Sequence, residues 1–468
     1  MPAEPAAIGA GAEFDPASSL LLTDLYELNM YAAYLDAGMT ATAVFELYFR
    51  RLPPCRNFLV AAGLELALRF LENARFTTAE LAWLEASGRF SPTVLERLAA
   101  FRFTGEVYAP PEGTVLFPDE PVLGIEAPLP EAQLLESRLI NLVHFQTLIA
   151  SKAARLVLAA PGKILLDFGL RRAHGAEAGL LAARSAYLAG FTGTATTLAE
   201  PLFGIPIYGT MAHSFIQAHE DETTAFERFA RARPAAVTLL LDTYDTERAA
   251  RKVVALAPRL ARDGITVGGV RLDSGDLGAH ARAVRAILDE GGQRQVRIFV
   301  SGGLDEGAIQ ALEASAPIDG YGIGTELSTS GDLPALDCAY KLQAYGGLPK
   351  RKRSEGKSTW PGRKQVYRHV DGAGLLTRDV LTVEGDEQLG EPLLRPVMRG
   401  GRRLRAPPSL ADSRALAAAE INRLPERLRA LEPAEPYPVA VAPALRRLSE
   451  AADRLIANGK TKEMHDEG

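Results

Sequence analysis

From Lys163 onward the chain repeats one pattern, and that repetition constrains its fold more than any other feature. An apolar, β-rich run is followed by a polar or glycine-rich stop and then by a helical run. The strand-like runs are 164–168, 190–193, 205–208, 237–241, 266–270, 296–300 and 318–323, and helical runs such as 246–262 and 276–290 follow most of them. Such alternation predicts parallel strands covered by helices. A spacing of about 30 residues fits the βα units of a barrel.

The unusual residues fall at the stops. They are Asp167-Phe168-Gly169-Leu170-Arg171-Arg172, then Gly209-Thr210-Met211-Ala212-His213, then Asp242-Thr243-Tyr244-Asp245. Arg271-Leu272-Asp273-Ser274-Gly275-Asp276, Ser301-Gly302-Gly303 and Gly322-Ile323-Gly324-Thr325 follow. In a parallel α/β barrel the ends of the strands form the active-site face. A lone histidine commonly caps a helix or binds a carbonyl, but His213 sits among these clusters, where a neutral imidazole is a usable nucleophile. Asp242, Asp245, Asp273 and Asp276 could hold Mg²⁺ through waters, orient the imidazole, or simply cap helices. Arg171, Arg172 and Arg271 suit a carboxylate or phosphate, the alternative being salt bridges to the helix layer. Glycines at 302, 303, 322 and 324 let backbone N–H groups approach an anion closely, as late barrel loops do for phosphate.

The rest of the chain reads differently. Residues 1–19 form an Ala/Pro/Gly-rich flexible tail, and 20–30 a helix with Thr23 or Asp24 as cap and Tyr26 near its start. A strand is expected at 41–51, helices at 63–73, 78–86 and 91–100, and a small antiparallel sheet from three strands at 105–109, 114–117 and 122–126. A long helix at 131–159 leads into the repeating region. Beyond 341, strands are expected at 365–368 and 380–383, helices at 410–431 and 443–457, and fraying from Gly459. The basic run Lys350–Arg353 reads as a solvated or phosphate-facing loop. The domains are then a tail (1–19), an N-terminal sandwich domain (20–135, with strands returning from about 360–405), a barrel (136–345) and a partly helical C-terminal segment (346–468).

Composition narrows the function classes. At 468 residues, about three domains are expected. The net charge of −6 argues against a dedicated nucleic-acid binder. Two cysteines, Cys55 and Cys338, allow no disulfide framework and no cysteine-rich zinc site, which suits a reducing cytoplasm. No apolar stretch is long enough for a membrane span.

Taken together, DFGLRRAHG from Asp167, GTMAHSF from Gly209, VRLDSGDL from Val270, and the later SGGLDE and GIGTELST resemble the nicotinate phosphoribosyltransferase family. The likeness extends from Leu22-Thr23-Asp24-Leu25-Tyr26 to Pro361-Gly362-Arg363-Lys364-Gln365-Val366-Tyr367. The resemblance implies an α/β fold: an irregular, TIM-like α/β barrel with an α/β sandwich domain built from N- and C-terminal segments. It implies transfer of a phosphoribosyl group from 5-phosphoribosyl-1-pyrophosphate to nicotinate on the salvage route to NAD. It also implies ATP hydrolysis through a phosphohistidine, in a homodimer with shared sites; Mg²⁺ and arginines suit the departing pyrophosphate charge. By the same resemblance His213 is the phosphorylated residue and Asp242 its carboxylate partner. Phe168 stacks on the pyridine and Tyr26 closes its other face from a partner subunit. Thr210 and Arg271 contact nicotinate, while Arg171, Asp273, Gly302, Gly303, Gly324 and Thr325 contact the phosphoribosyl donor.

The related nicotinamide-using enzyme places an aspartate after its Phe-x-Gly-Thr strand to accept the amide N–H. Here Phe191-Thr192-Gly193-Thr194 is followed by Ala195, which favours the acid. The alternatives are nicotinamide use, the quinolinate reaction, which needs neither His213 nor ATP, and a non-catalytic metabolite binder. His174 stands where the family commonly has glutamine.

Overall fold

The computed structural model describes residues 18–235 and 237–466, with side chains to 457. Most of the expected tail lies outside these residues. Its last member, Ser19, is buried and donates a hydrogen bond to Glu80. The chain divides into two units, one formed by the residues up to Leu148 with those from Ala335 on, the other by Ile149–Pro334.

The second unit holds the repeating region. Its strands are β1 (Ile164–Asp167), β2 (Gly193–Thr194), β3 (Val237–Leu240), β4 (Val267–Leu272), β5 (Arg297–Ser301) and β6 (Gly320–Ile323). They form one curled parallel sheet in the order β2-β1-β6-β5-β4-β3. Leu239, Val270, Ile298, Val300, Tyr321 and Ile323 are fully buried, as expected of parallel strands covered by helices. The helix Thr246–Arg262 turns Ala249, Ala250, Val253, Leu256, Ala257 and Leu260 inward, a helical spacing with the charges left outside. Aspartates start the helices: Asp245 accepts from Arg248 N at 2.8 Å, Asp276 from Ala279 N at 2.9 Å and Asp305 from Ala308 N at 2.7 Å.

Two strands differ from expectation. The run 190–193 is only β2, because Gly190 (φ 125°) is still turning out of the helix Ala176–Leu188. The run 205–208 contributes a single parallel bridge, Thr194 with Ile207. Pro206 has no N–H to extend the ladder, and its carbonyl accepts from Thr194 N at 3.1 Å.

In the first unit a seven-stranded sheet runs, in spatial order, Leu348–Pro349, Cys338–Tyr345, Thr42–Phe49, Pro121–Pro128, Glu106–Ala109, Arg395–Arg399, Arg402–Arg403. N-terminal and C-terminal strands are thus hydrogen-bonded into one layer. The three strands expected to pair among themselves do not all do so. Glu106–Ala109 pairs with Pro121–Pro128, but Val115–Leu116 pairs with Leu59–Val60 in a separate two-stranded sheet. A four-stranded sheet holds Glu391–Pro392, Lys364–Val370, Leu376–Val383 and Val439–Val441. The expected helix 410–431 is split into Leu410–Arg423 and Glu426–Arg429 at Pro425, which lacks the N–H a continuous helix needs. The last helix continues through Gly459 to Asp466; a single helical glycine costs only about 1 kcal/mol.

Two ion networks are sealed inside this unit. Arg368, fully buried, forks onto Asp379 (2.7 Å) and Glu420 (2.7 Å) and donates to Val115 O (2.8 Å). Lys364 pairs with the buried Glu46 and donates to the carbonyls of Trp360 and Gly362. The basic run is also partnered: Arg351 and Arg353 each lie 3.4 Å from Asp453 on the last helix.

Candidate active site

The six strand-end clusters converge on the carboxyl edge of the parallel sheet. Phe168 follows β1 directly, its N–H donating to Ile323 O at 2.8 Å, so β6 fixes where the ring begins. A Cβ at Gly322 would collide with that ring. The glycine expected to cradle phosphate at 322 instead makes room for an aromatic face. Behind the ring, Asp167 is buried and accepts from Gly169 N (2.8 Å) and Thr194 Oγ1 (2.7 Å). Burial pushes its carboxyl above the usual range.

Arg271, at the end of β4, has its guanidinium carbon 5.3 Å from the centre of the Phe168 ring. Its Nε donates to Ser301 Oγ at 2.8 Å and its Nη2 to Asp273 Oδ1 at 2.6 Å. Ser301 also donates to Asp273. These bonds use two of the five N–H donors that an arginine carries, and they aim the fork at an open cleft of about 430 Å³, solvent-open space included. Its lining includes Phe168, Tyr208, Thr210, Arg271, Ser301 and Gly322. An aromatic wall, a held cation and a threonine hydroxyl suit a flat ring bearing a carboxylate.

His213 opens the short helix His213–Gln217. Its Nε2 lies 3.3 Å from Asp242 Oδ1, the histidine side chain 40% exposed and the carboxylate 3%. The second oxygen of Asp242 accepts from Asp273 N at 3.2 Å and from the Ser274 hydroxyl. The loop after β4 therefore serves two purposes: it aims Arg271 and it holds the carboxylate that faces the imidazole. Of the four rim carboxylates, Asp245 and Asp276 cap helices, leaving Asp242 and Asp273 for the site.

The anion-side candidates lie on the same edge. Gly302 (φ 101°) and Gly303 (φ 62°) are exposed just past β5, and a Cβ at Gly302 would strike Asp273 O. Gly324 and Thr325 follow β6 and open the helix Thr325–Ser328. Arg171 is exposed on the 3₁₀ turn Leu170–Arg172 after β1, beside Arg172. Tyr26 is on the helix Leu25–Asp36 of the first unit, 45% exposed. Ala195 is exposed immediately after β2. Among the described residues, no group of three or more His, Cys, Asp or Glu is arranged to hold a metal ion.

Sequence reasoning gave no role to Tyr208, Ser274, Ser301 or Thr194. Ser274 and Ser301 stood inside the recognised clusters, so their position at a strand end was the available signal. Thr194 acts through a buried contact to Asp167, which no pattern in the sequence displays.

This arrangement defines a class: an α/β enzyme whose strand ends pair a cleft suited to an anionic ring with a histidine–carboxylate couple and glycine turns. The family model described as "Nicotinate phosphoribosyltransferase (NAPRTase) family" matches residues 164–347. Models of the family's N-terminal and C-terminal domains match residues 21–144 and 388–449. The chain is 51% identical over 425 residues to nicotinate phosphoribosyltransferase pncB2 of Mycobacterium tuberculosis, covering 90% of this chain and 91% of that one. It is 40% identical over 386 residues to the nicotinate phosphoribosyltransferase of Bacillus subtilis, covering 81% and 79%. The crystal structure of human nicotinic acid phosphoribosyltransferase superposes with a TM-score of 0.82 at 32% identity, covering 92% of this chain and 99% of that one. The chain belongs to the nicotinate phosphoribosyltransferase family and is an enzyme of that family.

Proposed function

We propose that this enzyme joins nicotinate to 5-phosphoribosyl-1-pyrophosphate, forming nicotinate mononucleotide and pyrophosphate for NAD salvage, and couples the transfer to ATP through His213. The observation that carries the reading is the pocket bounded by Phe168, Thr210 and Arg271, next to the His213–Asp242 pair on one sheet edge. Nicotinate's ring stacks on Phe168 and its carboxylate meets the Arg271 fork. The ring nitrogen attacks C1 of the donor; the N–C1 bond forms as the C1–O bond to pyrophosphate breaks. Arg171 faces the departing charge, Asp273 the donor's ribose, and Gly302, Gly303, Gly324 and Thr325 hold its 5-phosphate.

ATP enters as a co-substrate. With Nε2 turned toward Asp242, Nδ1 of His213 is the nitrogen left to attack the terminal phosphorus. ADP departs, and water later takes the phosphoryl group as inorganic phosphate. Mg²⁺ would supply neutralisation of the pyrophosphate charge, and ions of this kind commonly rely on one or two carboxylates plus substrate phosphates. Asp273 is the rim carboxylate that fits this demand. Tyr26 of a second copy closing the pyridine's other face, and hence a homodimer, belongs to the same reading, as does a cytoplasmic location, which the low cysteine content favours.

Nicotinate is preferred to nicotinamide because Ala195 offers no acceptor for an amide N–H. Incubating purified enzyme with the donor and each base in turn tests this. Turnover of nicotinate is expected; exclusive turnover of the amide would overturn the assignment.

A further inference from the structure

The helix Glu136–Ala159 carries a lysine for which the proposed reaction has no use. The Lys152 side chain is 1% exposed, and its Nζ lies 2.6 Å from Glu306 Oε2 and 3.1 Å from Asp332 Oδ1. Arg155 Nε donates to the other oxygen of Glu306 at 3.2 Å. Two cations and two carboxylates so compensate one another, as burial of charge requires.

The two carboxylates sit at telling places in the chain. Glu306 opens the helix Glu306–Glu313, just after Gly302-Gly303. Asp332 follows the helix Thr325–Ser328, which starts from Gly324. The backbone leading to Asp332 is strained at Ser330, which is buried at φ 47°, and it packs so closely at Gly331 that an added Cβ would meet the Glu326 carboxylate. Such a turn persists only where its surroundings hold it.

We infer that Lys152 is a positioning residue that ties the loop after β5 to the loop after β6 and so sets the spacing of the two glycine turns. The inference rests on the reading of those turns as contacts to the phosphoribosyl donor. Lys152 touches no reacting atom. Its effect falls on how well the donor is gripped, with little effect on the base or on the chemical step.

Asp332→Asn in the full chain is the direct test, because it releases one arm at a residue whose side chain is 24% exposed while leaving the Lys152–Glu306 pair intact. The KM for the phosphoribosyl donor is expected to rise about tenfold, since small misplacements of binding groups are costly. The KM for nicotinate and kcat at saturating donor are expected to change less than about twofold. Lys152→Arg keeps the charge and should retain most of the donor affinity. An unchanged donor KM in folded Asp332→Asn, or an equal loss in every parameter, would overturn the clamp. Wild-type enzyme that forms no nicotinate mononucleotide would instead overturn the functional reading beneath it.

Discussion

Asp242 makes three contacts with one carboxylate: the His213 ring, the Asp273 N–H and the Ser274 hydroxyl. An amide in its place can accept from only one side. Asp242→Asn should therefore lower ATP-coupled turnover by roughly a hundredfold, the scale on which a positioned acid–base partner works. Steady-state rates with and without ATP check this. Glu27 makes a different residue-scale prediction. Burial, with the charge of Glu136 as a smaller cause, pushes its carboxyl from 4.5 up to about 7, although bonds from Tyr26 and Ser137 work the other way. The folded chain thus holds this proton where the unfolded chain has lost it. Stability from this group is complete below about pH 4.5 and is lost as pH rises toward 7. Glu27→Gln should raise the thermal midpoint more at pH 8 than at pH 5; an equal shift at both would contradict the assignment. The clustering of the candidate residues was legible in the sequence, since His213, Asp242 and Arg271 each stand at the end of an apolar run. Their supports were not: Thr194 reaches Asp167 across two parallel strands, and adjacency between strands is set by the fold.

At the scale of elements, glycines decide what the strand ends can hold. Gly322→Ala would drive a methyl group into the Phe168 ring. The expected result is a rise of about tenfold in the KM for nicotinate, because the ring must leave its place; a base KM equal to that of the wild type would show that the ring does not set the pocket. Gly303 sits at φ 62°, a conformation that costs a residue with a Cβ roughly 1–2 kcal/mol. The period of the parallel unit was readable because its strands are apolar runs and its helices amphipathic. The pairing of Val115–Leu116 with Leu59–Val60 was not, because proline-rich turns on both sides mimic a local meander. Likewise Lys350–Arg353 carried no sign of its partner, since Asp453 lies a hundred residues along the chain.

For the whole molecule, the N- and C-terminal portions of the first unit are joined by sheet pairing and by buried charge. Arg368 brings together Asp379, Glu420 and the backbone at Val115. Removing one member of such a network leaves the others unpaired, which costs about 3–5 kcal/mol. Arg368→Met should lower the thermal midpoint sharply while leaving the substrate KM values of the enzyme that remains folded near those of the wild type. In the other unit, loops distant in sequence meet at one sheet edge, where the proposed reaction has the His213 imidazole accept a phosphoryl group beside the cleft at Phe168 and Arg271. The most direct test is to supply terminally labelled ATP with nicotinate and the donor, and to follow both the label on the protein and the yield of mononucleotide. Label is expected on His213 and, in His213→Ala, loss of label and of ATP stimulation with some basal transfer remaining. Full ATP coupling in His213→Ala would contradict the proposed reaction.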